Sequence, residues 1–155
     1  MRSFYRILAY VIAAEVAIQA MVMVYAVAGL GKWVEGGGVL DKSVMESEAT
    51  PFSEVVGFAI HGINGMMVIP ALALILLIVA FFVKVAGAVK FALIVVGLVA
   101  LQIVLGLLGH GVPFLGALHG LNAFLLVGAS LAAARNMRAA PDTITAPRTT
   151  SPTMT

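Results

Sequence analysis

The chain contains no cysteine. That excludes disulfides, thiolate metal sites, Fe–S clusters and covalently attached c-type haem. Charge is almost as scarce. Only 10% of the 155 residues are Asp, Glu, Lys or Arg, against about 25% in a soluble domain. The net charge of +2 is segregated by loop, and no polybasic run points to a nucleic-acid partner. With thiolates gone, histidine and methionine are the remaining soft or borderline metal ligands.

What fills the chain instead is apolar. Hydrophobic residues make up 62% of it, and the mean hydropathy is +1.11. This composition implies an integral membrane protein in a lipid bilayer, a single domain of about four spans. The expected class is all-α: a four-helix up-down bundle with spans at about 7–30, 55–83, 91–109 and 114–134. The transmembrane domain is expected over 1–135 and a disordered cytoplasmic tail, rich in Thr, Pro and Ser, over 136–155.

Ala26-Val27-Ala28 resembles a signal-peptidase site. However, the run before it exceeds a signal peptide's roughly 7–15 apolar residues and contains Glu15 and Gln19, so a retained helix is expected. Pro51 separates a polar, acidic loop from the second span, and Ser53 or Glu54 is placed to begin that span. Pro70 removes one backbone hydrogen bond and predicts a kink. Trp33 reads as an interfacial anchor, and Met21, Met23, Met66 and Met67 read as packing residues.

Basic residues give an orientation. Arg2, Arg6, Lys84, Lys90, Arg135, Arg138 and Arg148 fall on one side of the expected spans, and Lys32 and Lys42 on the other. The positive-inside rule then places both termini in the cytoplasm.

One stretch occurs twice. Ile60-His61-Gly62-Ile63-Asn64-Gly65 is echoed by Leu118-His119-Gly120-Leu121-Asn122-Ala123. A weaker echo links Ala17-Ile18-Gln19 to Ala100-Leu101-Gln102. The pattern predicts a duplicated helical hairpin whose halves are related by an axis along the membrane normal. At about 1.5 Å per residue, His61, His119, Gln19 and Gln102 all converge in the outer half of the membrane. Glu15 falls about 9 Å deeper than the histidines by the same count, outside their reach.

Two imidazoles on facing helices suit axial ligation of a haem iron. His61 and His119 are the expected iron ligands of a b-type haem. Gly62 and Gly120 leave room for a flat macrocycle, and Asn64 and Asn122 share a face with their histidines. The competing reading is that these residues, with Gln19 and Gln102, only bond helix to helix. A zinc site would need two further ligands, such as His110 and a loop carboxylate. His110 itself is expected to lie exposed in a turn, and Glu15 to act in packing or on a proton path.

With these residues in place, the chain resembles one half of the haem A synthase fold, in which each of two four-helix bundles places a histidine in its second and fourth helices. The matching features are His61-Gly-x-Asn-Gly, Leu101-Gln102-Ile103-Val104-Leu105-Gly106 and Leu118-His119-Gly-Leu-Asn-Ala, within roughly 55–135. The resemblance extends to small four-helix bacterial membrane proteins with the LQ-x-x-LG and LH-x-LNA features. It implies haem binding at His61 and His119 in a bacterial plasma membrane. The second bundle and the outer-loop cysteine pair of many synthases are absent from this sequence. Three functions stay open: a haem module for electron transfer or haem handling with a redox partner or as a homo-oligomer, a cofactor-free membrane scaffold or accessory subunit, and a haem-modifying oxidoreductase.

Overall fold

The computed structural model describes residues 1–47 and 49–139, and every element in them is helical. In order they are α1 (Arg2–Glu35), a short α2 (Lys42–Glu46), a 3-10 turn (Ser53–Val55), α3 (Val56–Ile63), a π-helical turn (Asn64–Val68), α4 (Ile69–Phe82), α5 (Ala88–Gly109) and α6 (Pro113–Ala139). Among the described residues four stretches are long and apolar enough to cross a membrane: Arg2–Glu35, Ser53–Phe82, Ala88–Gly109 and Pro113–Arg138.

The helices outrun the apolar segments that mark them. Hydropathy finds the part that suits hydrocarbon, whereas backbone hydrogen bonds continue into the polar interface. Thus α1 begins five residues before Ile7, and α6 runs to Ala139 rather than stopping at Ala134. Of the expected disordered tail, 136–139 is helical and the remainder lies outside the described residues.

The α1 helix packs against α6, α6 against α5, α5 against α4, and both α3 and α4 return against α1. The start of α1 and the end of α6 therefore lie at one end, and the longest connection, between α1 and the 3-10 turn, lies at the other. At the terminal end Tyr5 donates its hydroxyl to the Ala88 carbonyl at 2.9 Å, and the Arg138 guanidinium sits 5.6 Å from the centre of the Tyr10 ring. Gly87, at φ +84°, closes the tight α4–α5 turn in a conformation that favours glycine.

Small side chains hold the bundle together. Ala9, Ala73, Ala80, Ala88, Ala92, Ala133 and Ala134 are buried with Leu76, Val95 and Leu126. Lipid tails are as apolar as leucine, so association rests on close backbone approach rather than on hiding oil from water. The bulky side chains face outward: Phe81, Leu93, Leu107, Phe114 and Phe124 are exposed. So are Met21, Met66 and Met67, the methionines expected to be packing residues.

The packing is uneven along the axis. Every member of the buried apolar cluster lies toward the terminal half, from Tyr5–Val16 on α1 to Leu126–Met137 on α6. In the other half, α3 packs chiefly on α1 alone, while α6 touches both α1 and α5. There Gly57 brings α3 against the Val22 carbonyl and Ala26, and Gly29 makes room for the Glu54 side chain. Above it, Trp33 and Phe52 meet with ring centroids 5.7 Å apart and Gly38 lies against the indole.

Pro70 has its effect one turn early. It lies in the first turn of α4, and the wider π-helical turn immediately precedes it, closed by the Ile69 N–H donating to the Asn64 carbonyl. A proline removes a donor from the regular ladder, and a π turn is one way a helix re-pairs what is freed.

Candidate functional site

His61 is the third residue from the end of α3, and His119 lies in the unbroken α6. Their rings face each other with centroids 6.1 Å apart and planes inclined at 59°. Both residues are partly buried.

Each ring is tethered through Nδ1. His119 Nδ1 lies 2.9 Å from the Gln102 backbone carbonyl, and His61 Nδ1 lies 3.3 Å from that of Gln19. A carbonyl only accepts, so a bond to it requires Nδ1–H and leaves the lone pair on Nε2; His61 Nδ1 also lies 2.6 Å from the Gln19 amide nitrogen in the orientation assigned below, from which it accepts only when unprotonated. Neither Nε2 has a hydrogen-bond partner among the described residues. A tether on one nitrogen that frees the other for a metal is the usual way a ligating imidazole is oriented.

The glutamine side chains complete each tether. Gln102 Nε2 donates to the His119 carbonyl at 3.0 Å. Asn122 Nδ2 donates to Gln102 Oε1 at 2.5 Å and to the Leu98 carbonyl at 2.9 Å. On the other side, the Gln19 amide is assigned the orientation that satisfies both of its ends. Its Nε2 then donates to the His61 carbonyl at 3.1 Å, and its Oε1 accepts from Asn64 Nδ2 at 2.8 Å. Asn64 Nδ2 also donates to Glu15 Oε2 at 2.9 Å. Each of the four bonds on the His119 side has a counterpart on the His61 side, down to an acceptor four residues before each glutamine. Only its chemistry differs: a main-chain carbonyl from Leu98, a carboxylate from Glu15.

Glu15 is therefore joined to the site, against the sequence expectation that it lies outside it. The α1 and α3 helices run antiparallel. With Gln19 opposite His61, the residue one turn before Gln19 meets the residue one turn after His61. Counting depth separately for each span hid that register. The same pairing puts Asn64 and Asn122 onto neighbouring helices within their own hairpins.

The Gln19 amide also repairs the backbone. In a regular helix the Gly65 N–H would donate to the His61 carbonyl. At the π turn, Gly65 N–H donates to Gln19 Oε1 at 3.2 Å and Gln19 Nε2 donates to the His61 carbonyl, which also accepts from the Asn64 N–H. One side chain thus bonds backbone groups on both sides of the turn's start.

Glycines serve the site unequally. Gly62 and Gly120 border open space, and a methyl group on either would touch nothing. Gly106, which the sequence reading left without a role, lets the His119 ring lie against α5: a Cβ there would come within 3.0 Å of Nδ1 and 3.1 Å of Cε1. Its place four residues after Gln102, on the same helix face, was the signal available. His110 is exposed, with Nδ1 3.3 Å from the Leu107 carbonyl. Among the described residues no third His, Asp or Glu joins the histidines in a metal-holding group. No protein-family model, no curated protein and no solved structure matches the chain.

Proposed function

We propose that the protein is a membrane module for a b-type haem, with His61 and His119 as the axial ligands of its iron, serving electron transfer or haem handling. The observation that carries this is the pair of imidazoles with Nδ1 engaged and Nε2 free. Two rings sharing one metal at about 2 Å from each Nε2 have centroids roughly 6 Å apart, and 6.1 Å is the separation present. Gly62 and Gly120, each next to a ligating histidine, add no bulk there, since a methyl group on either would touch nothing. When bound, haem would supply one-electron chemistry. Gln102 fixes the tautomer of His119, and the Gln19 and Gln102 carbonyls orient the two rings.

The matched hydrogen bonds further favour a duplicated hairpin, with α1 and α3–α4 equivalent to α5 and α6. The basic residues favour cytoplasmic termini in a bacterial plasma membrane, with the haem near the outer face. A redox partner or a second copy of the chain is the partner expected of such a module.

A cofactor-free scaffold is the second reading. It is favoured by the Gln and Asn side chains, whose bonds all join helix to helix. The visible spectrum of protein produced with ample haem decides between them. The haem module has a Soret band and a sharp reduced α-band, both diminished on replacement of either histidine. A colourless protein refutes it and leaves the scaffold.

A further inference from the structure

The two histidines are not held alike. His119 stands in a continuous helix of 27 residues. Its Nδ1 tether is 2.9 Å long, and its ring is pressed against α5 at Gly106. Among the described residues no second group competes for Nδ1. His61 has the opposite surroundings. Its helix is eight residues long and opens into the π turn. Its tether is 3.3 Å long. Gly62 beside it borders open space, and α3 packs chiefly on α1.

The Gln19 amide adds a second difference. In its assigned orientation, Nε2 lies 2.6 Å from His61 Nδ1. That N–H can donate only to an unprotonated Nδ1, whereas ligation through Nε2 requires Nδ1–H. His61 therefore has a partner for each tautomer: the Gln19 carbonyl for the ligating one and the Gln19 amide for the other. His119 has a partner only for the ligating one.

We propose that His61 is a releasable ligand and His119 the fixed one, so that the His61 side of the site admits a small neutral ligand with a lone pair. This rests on the haem reading. In the exchange, the bond to His61 Nε2 breaks with its electron pair remaining on the imidazole, and the incoming ligand's lone pair replaces it. The freed ring takes a proton at Nε2, gives one up at Nδ1 and accepts from the Gln19 amide. No electron changes hands, and the proton count is unchanged.

Carbon monoxide added to the reduced, haem-loaded protein is the test, followed by visible and resonance-Raman spectra. Wild type is expected to form a carbon monoxide adduct, with a rate that levels off at high gas concentration as release of His61 becomes limiting. His61→Gln is expected to keep its haem in a five-coordinate, high-spin form that takes up the gas without that limit. His119→Gln is expected to hold at least tenfold less haem. A wild-type spectrum unchanged by saturating carbon monoxide overturns the proposal, as does equal haem loss from the two variants. Both results leave the haem reading standing. The wild-type measurement holds even if a variant fails to fold. A colourless wild type overturns the haem reading and this proposal together.

Discussion

Gly106→Ala isolates the contact between α5 and the His119 ring. The added methyl would lie 3.0 Å from Nδ1 and 3.1 Å from Cε1. Carbon contacts are comfortable at about 3.5–4.0 Å, so the ring must withdraw by roughly half an ångström. That strains the 2.9 Å bond from Nδ1–H to the Gln102 carbonyl, whose loss costs about 0.5–1.5 kcal/mol. Replacing a mid-helix glycine by alanine returns about 0.5–1 kcal/mol of helix preference. The net change in stability for Gly106→Ala is therefore near zero. Gly97, on the same helix, has nothing within 4 Å of an added Cβ, so Gly97→Ala keeps the whole gain. The two variants are expected to differ by about 0.5–1.5 kcal/mol when unfolded in mixed micelles. Only Gly106→Ala should alter the electron paramagnetic resonance of the ferric protein, because only it turns the His119 ring. Equal stability together with equal spectra would refute the contact.

Glu15→Leu leaves Asn64 Nδ2 with one acceptor fewer, and micellar unfolding should show a loss of about 1–3 kcal/mol. Glu15→Gln retains an acceptor oxygen and should recover most of that loss. Ser130 is fully buried and its hydroxyl has no partner among the described residues, so Ser130→Ala is expected to be neutral or stabilising by about 1 kcal/mol in the same assay. Asp41 caps α2: its carboxylate accepts from the Ser43 hydroxyl at 2.6 Å and the Val44 N–H at 3.0 Å, which together hold its pKa below the ordinary carboxylate value. A lowered folded value stabilises the turn above the ordinary carboxylate range and ceases to do so as pH falls through the lowered value. Acidification should therefore fray Lys42–Glu46 while the long helices persist, a change visible in amide exchange and absent from Asp41→Ala.

The four long helices were legible because 18 or more apolar residues in a row have few other readings. Their ends were not, since α1 and α6 continue past the hydrocarbon on backbone bonds alone. The recurrence of His61-Gly62-x-Asn64 and His119-Gly120-x-Asn122, with Gln19 and Gln102 at similar depth, pointed to residues that the fold does bring together. Glu15 was missed for want of a register: its depth was counted from one helix end and that of His61 from another, and neither origin shows which turn faces which. The π turn was invisible for a different reason. Pro70 announces a disturbance, but its form depends on an amide carried by another helix about fifty residues earlier. Gly106 was hidden because its importance lies in a ring that only the folded chain lays against it.

The separation between the alanine-packed terminal half and the loosely joined histidine half has a consequence in time. Nothing between the two imidazoles is needed to bring α1, α4, α5 and α6 together, because their mutual burial is complete at the other end of the bundle. The chain can insert, associate and wait. On the haem reading proposed above, loading of the site would be a late event, separable from folding, and a cell short of haem would accumulate a finished but empty protein rather than a misfolded one.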